Sequence, residues 1–335
     1  MHAKTAVNEK ILRRLMTSGA WYPSLSDELF GIALRRSGTF AGVPSPPTVD
    51  VVIVTYRAVD LLRACLSSLR DCPPTGGARV WVVDNASSDR TTDLVRSEFP
   101  EVELEASSSN LGFAAANNLA IRRGQAPYIL ALNPDTQVTP GALDRILAVM
   151  EADPAIGIAG CRLELEDGTF DHAARRAFPT IVGALGHFAR IGRRPTAPAR
   201  LAQYRAPSVE RGPVDAVNGA FMVMRRSALD EVGLFDEGYW MYMEDLDLCY
   251  RMAEAGWITW YEPSVTVVHT KAGTSGKYRS PRLNYAFHYG MLRFYRRHYA
   301  QARNPLVNVA VYVGIALKLV SSLIWTSARR AYGAR

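Results

Sequence analysis

Glu244 and Asp245 are adjacent carboxylates just after the aromatic segment Tyr239-Trp240-Met241-Tyr242. The spacing predicts a helix that begins at these acids. A helix N-terminus stabilises carboxylates, so the pair either offsets the helix dipole or does acid–base work. An aromatic platform beside two carboxylates suits a sugar with a hydroxyl to be deprotonated, one acid serving as general base. Asn133-Pro134-Asp135 follows an apolar run. A carboxylate held there either closes an ordinary turn or binds a hard divalent cation that bridges to substrate phosphates. Asp84 also follows an apolar run, and it either caps a turn or accepts hydrogen bonds from a base or a ribose. The stretch Asn110-Leu111-Gly112 to Asn117-Asn118 enters an alanine-rich helix. Gly112 permits close backbone approach, and the helix start either favours phosphate or is simply capped by an asparagine. His269 lies 24 residues beyond Asp245 at the end of a strand pattern, as a metal ligand or a buried structural histidine.

Groups so far apart in sequence act together only if a sheet gathers them. From residue 49 a regular alternation provides one. The β-branched run 49–55 reads as a strand buried on both faces. Helical spacing follows over 61–69, a strand over 79–83, and a helix to Glu98 capped by Ser88 or Asp89. A strand over 101–105, a helix over 113–123 and a strand over 128–132 come next. Pro140 and Gly141 open another helix that ends near Asp153-Pro154. Alternation of this kind predicts an α/β fold with a mainly parallel sheet. Ligands then bind beyond the carboxyl ends of the strands. Those ends carry Thr55-Tyr56-Arg57, Asp84-Asn85 and Asn133-Pro134-Asp135. Neither a dinucleotide G-x-G-x-x-G after the first strand nor a P-loop is present.

The second half is less regular. Residues 172–212 hold eight arginines and one glutamate among prolines and glycines, which predicts a long excursion. Strand character returns over 214–224, helix over 227–232 and 244–255, and short strands over 258–261 and 265–269. An aromatic and arginine-rich helix covers 285–299. At the other end, residues 1–43 read as one or two helices, closed off by Pro44-Ser45-Pro46-Pro47.

The chain has 335 residues, 48% of them apolar and 21% charged, which excludes global disorder and a polytopic membrane protein. Four cysteines without zinc spacing exclude a disulfide scaffold and fit a reducing compartment. Residues 1–30 lack the apolar core of a secretory signal. After Glu262 there is no acidic residue but there are 12 lysines and arginines. Taking these from the net +7 leaves −5 on the first 262 residues. The basic tail surrounds an apolar run, 305–325, whose one charge is Lys318. Apolar length with basic flanks fits a helix in the interface of an anionic leaflet. A terminal helix packed on the body is the other reading. No nucleic-acid-binding motif accompanies the basic residues.

The order of these features resembles glycosyltransferase family 2, the inverting GT-A enzymes, over about residues 49–300. The series is VVIVTYR, VVDNASSD, NLGFAAANN, LNPD, VNGAFMVMRR, FDEGYWMYMEDLDLCYR and VVHT. Within the family it is most similar to bacterial rhamnosyltransferases of O-antigen or cell-wall linker synthesis. The resemblance implies a GT-A domain over 48–300, after an N-terminal extension and linker (1–47). A basic, apolar, membrane-associating helix over 301–335 would follow. It implies dTDP-L-rhamnose as donor, a polyprenyl-diphosphate-linked saccharide as acceptor, and a peripheral place on the cytoplasmic face of the plasma membrane. Asp245 would be the catalytic base, and Asn218, Gly219, Trp240 and Glu244 would face the acceptor. Thr55, Tyr56, Arg57, Asp84, Asn85, Gly112, Asn117 and Asn133 would hold the nucleotide sugar. Asp135 and His269 would bind Mg²⁺ or Mn²⁺. Two positions depart from the family pattern: Asn133 replaces a carboxylate of the D-x-D motif, and Arg57 stands where many members have asparagine. Transfer of a hexose or galactofuranose, and a non-catalytic sugar-nucleotide-binding protein of the same fold, are the alternatives.

Overall fold

The computed structural model describes residues 46–179, 210–270 and 280–333. The predicted helices of 1–43 and the Arg-rich stretch 180–209 lie outside these residues. Strand β1 (Val49–Thr55) is central, paired in parallel with β2 (Ala78–Asp84) on one side and β4 (Tyr128–Leu132) on the other. The helices α1 (Val59–Asp71), α2 (Thr91–Glu98) and α3 (Gly112–Arg123) connect the first strands, with β3 (Glu103–Ala106) at the outer edge. Beyond β4 come β5 (Thr136–Val138), α4 (Ala142–Ala152) and β6 (Ile156–Glu164).

Side-chain alternation in β1 explains the layering. Val49, Val51 and Ile53 join the core beneath α1, α2 and α4. Val52 joins the core beneath α3 and the later helices α5 (Arg226–Val232) and α6 (Glu244–Glu254). A strand with helices on both faces has no polar side, hence the near-continuous apolar run, in which the buried Asp50 is paired with Arg226.

The second half of the sheet is mixed. Strand β7 (Arg175–Arg176) pairs outside it with β9 (Ala216–Val217), forming a small ladder at the base of the Arg-rich excursion. Strand β8 (Gly212–Pro213) pairs with β11 (Ile258–His269). Strand β10 (Phe221–Arg225) runs antiparallel between β4 and β6, and β11 runs parallel to β6 and antiparallel to β5. The run 214–224 is therefore two strands with a turn at 218–220, and the two strands expected at 258–269 are one. Their join is a bulge between Glu262 and Thr266. Pro263 has no N–H for the ladder. The buried Glu262 carboxylate holds the kink, accepting bonds from the Ser264 hydroxyl at 2.7 Å and the Arg211 guanidinium at 2.7 Å.

This topology sends the carboxyl ends of β1, β2, β4, β6 and β11 to one edge, together with the start of β10. All the predicted site residues fall on that edge or on helices beside it. Helix α7 (Pro281–His298) crosses there, and α8 (Pro305–Gly333) packs back along α7.

Candidate active site

Thr55 and Asp84 are register partners at the ends of β1 and β2. Both are buried, and Thr55 Oγ1 and Asp84 Oδ1 have no hydrogen-bond partner. Such groups are costly unless something fills them, so their exposure to a ligand is the physical reading. Asp84 Oδ2 accepts from the Ser87 N–H at 3.1 Å. Arg57 and Ala86 have positive φ, 52° and 60°. The Arg57 N–H donates to Ser87 Oγ at 2.8 Å, and its guanidinium lies 5.0 Å from the Tyr56 ring centre. Tyr56 is exposed at the rim.

Asn85 ties this edge to the next loop. Its amide donates to the Gly112 carbonyl at 2.9 Å and accepts from the Leu111 N–H at 3.2 Å. Gly112 has φ +84°, and a Cβ there would meet the Trp240 carbonyl oxygen at 2.1 Å. The close approach expected of Gly112 is thus made by the protein's own backbone. The first N–H groups of α3 are also taken internally: Gly112 donates to Asn110 Oδ1 and Phe113 to the Trp240 carbonyl. Asn117 bonds to the Phe113 carbonyl through its NH₂, and its Oδ1 is buried without a partner.

Asp135 sits after β4, where the Asn133 N–H donates to the Ala220 carbonyl at 3.0 Å. Strand β11 ends beside it, and the Thr270 N–H donates to the Asp135 carbonyl at 2.8 Å. This brings His269 Nε2 to 3.6 Å from Asp135 Oδ1. His269 Nδ1 lies 3.2 Å from Asp171 Oδ2. Burial lowers the imidazole's proton affinity, but hydrogen bonds and charge from Asp135 and Asp171 outweigh it and lift the pKa to about 9. Among the described residues no cluster of three metal-ligating side chains occurs. A carboxylate facing an imidazole nevertheless fits a divalent cation, which would take the place of the imidazole proton on binding. The carboxylate behind the ring strengthens that fit, because ligating histidines characteristically give their other N–H to such a partner.

The side expected to face the acceptor is built on the loop that enters α6. Tyr242 and Met243 have φ of 69° and 75°, so two consecutive non-glycine residues are left-handed. With Arg57 and Ala86 they are all the positive-φ non-glycine residues among those described. Strain of this kind costs about 1–3 kcal/mol per residue and persists only where packing enforces it. The enforcing contacts are visible. Trp240 Nε1 approaches the Asn110 carbonyl at 3.3 Å, and Arg282 lies 4.0 Å over its ring. Tyr242 packs edge-on against Phe287 of α7, and Tyr239 donates to the buried Asp247 at 3.2 Å.

Asp245 is held by three donors. Oδ2 accepts from the Arg176 guanidinium and from the Gly219 N–H at 3.1 Å, and Oδ1 accepts from the Leu246 N–H at 2.7 Å. A carboxylate offers about four lone-pair sites, so one is left for an incoming hydroxyl. Asn218 bonds to the backbone of Ala173 and Ala220 and so shapes the turn that presents Gly219. Glu244 is buried, and Oε2 has no partner. Burial and the neighbouring Asp245 charge push its pKa up to about 8.

Sequence reasoning missed Arg176 and Asp171. Arg176 carried no distinguishing signal, being one of eight arginines in 172–212. Asp171 carried none, because only the turn after β6 brings it to His269.

Comparison with known proteins agrees with this fold. The family model described as glycosyl transferase family 2 matches residues 50–233. The chain is 34% identical over 256 residues to an N-acetylglucosaminyl-diphospho-decaprenol L-rhamnosyltransferase of Mycobacterium tuberculosis, covering 72% of this chain and 81% of the relative. It is 30% identical over 252 residues to the pre-mycofactocin glycosyltransferase of that organism, covering 73% of this chain and 48% of the relative. Among solved structures, a mannosyltransferase from Pyrobaculum calidifontis in complex with GDP-Man and Mn²⁺ matches with a TM-score of 0.53 at 17% identity, over 99% of this chain and 86% of that one. Residues 1–349 of S. aureus TarS in complex with UDP-GlcNAc match with a TM-score of 0.51 at 17% identity, over 74% and 65%. These structural likenesses show the GT-A fold. By the extent of the family match and of the first relative, the chain belongs to glycosyl transferase family 2.

Proposed function

We propose that this glycosyltransferase moves L-rhamnose, with inversion, from dTDP-L-rhamnose to a polyprenyl-diphosphate-linked saccharide at the cytoplasmic face of the membrane. The observation that carries the mechanism is the Asp245 carboxylate, fixed by three donors with one lone-pair site left over. The identity of the sugars rests on the 34% likeness to the mycobacterial enzyme. Asp245 takes the proton of an acceptor hydroxyl. The oxygen forms its bond to the anomeric carbon while the bond from that carbon to the diphosphate oxygen breaks on the opposite face. Thr55, Asp84 and Asn117 offer unsatisfied buried groups to the nucleotide sugar, with Tyr56, Arg57 and Asn133 at its rim. Trp240 and the Asn218-Gly219 turn flank the acceptor. Asp135 and His269 would hold a Mg²⁺ or Mn²⁺, which supplies charge to offset the leaving diphosphate.

Residues 48–300 form the catalytic domain in this reading, 1–47 an extension and 301–335 the membrane-associating segment. Over Pro305–Ser327 the mean hydropathy reaches 1.9, with 6% of the apolar window buried. Leu306, Leu317 and Ile324 are exposed, a surface suited to the interface of a leaflet. The test is sugar transfer from a panel of nucleotide sugars to membranes bearing polyprenyl-linked acceptors. Metal-dependent use of dTDP-rhamnose, abolished in Asp245→Asn, is expected. Use of a hexose or galactofuranose donor instead would keep the mechanism and replace the sugar.

A further inference from the structure

Helices α7 and α8 are fastened at two points. Asn284 donates to Ser322 Oγ at 2.8 Å, and Tyr295 donates to Asn308 Oδ1 at 2.7 Å. Between these polar clasps the helices do not close. They leave a groove of about 400 Å³, walled by Tyr285, Tyr289 and Leu292 on α7 and by Tyr312, Ile315 and Leu319 on α8. Packed helices ordinarily interdigitate to close density. An exposed apolar surface of this kind is where a ligand or a partner is bound. Tyr285 and Tyr289 stack at 6.1 Å with their rings 18° apart, and both are exposed.

The position of the groove identifies the occupant. One side of α7 builds the acceptor loop, through Arg282 over Trp240 and Phe287 against Tyr242. Gly290 completes that packing, since a Cβ there would stand 2.9 Å from the Tyr242 carbonyl. The other side of the same helix walls the groove. Helix α8, the second wall, turns its exposed apolar residues outward. The groove thus shares α7 with the acceptor loop and α8 with the exposed apolar surface best suited to lipid. The positive side chains Arg282 and Arg296 lie on α7 toward its two ends. A molecule with an anionic head at the acceptor loop and a long apolar tail matches this arrangement.

Resting on the acceptor reading above, we propose that the groove between α7 and α8 binds the first isoprenoid units of the lipid-linked acceptor, with Arg282 meeting its diphosphate. The membrane then presents the substrate along a track rather than only raising its local concentration.

Two arms test this. In detergent, Leu292→Trp fills the groove from the α7 side, outside the membrane-associating segment. The KM for a decaprenyl-length acceptor should rise about ten-fold, near 1.4 kcal/mol, while that for a short-chain analogue with the same sugar diphosphate should stay within about two-fold. Liposome binding should not change, which separates the acceptor's tail from a bilayer acyl chain. An equal rise for both chain lengths, no rise, or a parallel loss of liposome binding would overturn the proposal. The second arm uses decaprenyl diphosphate with a diazirine on its first isoprene unit. Cross-links should fall within 285–296 and 312–319, and cross-links elsewhere would sink the idea. This readout needs no sugar transfer, so a failure of the rhamnosyltransferase reading stays distinguishable from a failure of the groove.

Discussion

The proposed nucleotide edge and the proposed acceptor side of the site are built in different ways. At the nucleotide edge, residues stand at the ends of neighbouring parallel strands, and ladder register alone makes partners of Thr55 and Asp84. On the acceptor side, Asp245 meets Gly219, 26 residues away, and Arg176, 69 residues away. Trp240 is held by Gly112 and Phe113 of one helix and Arg282 of another. The first region inherits its geometry from the sheet. The second is assembled from loops that must each be packed into place, although each region carries two left-handed non-glycine residues. A site so divided can keep one donor pocket while its acceptor side changes.

Substitutions can break this contrast, and the largest effect belongs to the base. Asp245→Asn keeps the shape but cannot take a proton, so kcat should fall about 10²- to 10⁴-fold. Nucleotide-sugar binding, followed by calorimetry, should stay near wild type. A matching loss of donor affinity would show the two regions to be one unit. Next comes Asp171→Asn, which leaves His269 in place but removes the carboxylate behind its ring. Second-shell changes of this kind cost about 10- to 100-fold in metal affinity, measurable by Mn²⁺ titration. Smaller still is Gly112→Ala, where the new methyl meets the Trp240 carbonyl and the left-handed backbone costs about 1–2 kcal/mol. Because Gly112 joins both regions, KM should rise for donor and acceptor together and Tm should fall. A rise confined to the donor would place Gly112 on the nucleotide side alone.

The same contrast governs what the sequence could reveal. Near-continuous apolar strands and the polar residues at their ends are local signals, so the parallel half of the sheet and the positions of Thr55, Asp84 and Asp135 were legible. The order of the later strands was not, since β10 enters antiparallel between β4 and β6 with no local mark of it. Asp245 was legible through its helix start and aromatic neighbours. Its anchor Arg176 was not, because only the short β7–β9 ladder brings that arginine back. The Glu262 bulge shows a third limit: Pro263 reads as a strand end, yet a buried carboxylate carries the strand through it.

The smallest expected effect concerns Glu244, which the acceptor side keeps buried beside Asp245. Its carboxyl titrates near 8 in the fold, raised by burial and then by the Asp245 charge, against 4.5 as the model-peptide value. Between those limits the folded chain holds a proton that the unfolded chain has released. Stability therefore falls as pH rises through this window. Glu244→Gln cannot ionise and lacks that slope. The variant's Tm should match wild type near pH 5 and exceed it progressively toward pH 8, measured side by side so that other titrating groups cancel. Two parallel Tm profiles would mean that Glu244 is ionised in the fold at all these pH values, and that water or a cation reaches Oε2 on the acceptor side. The contrast would then rest on construction alone, strand register on one side and packed loops on the other.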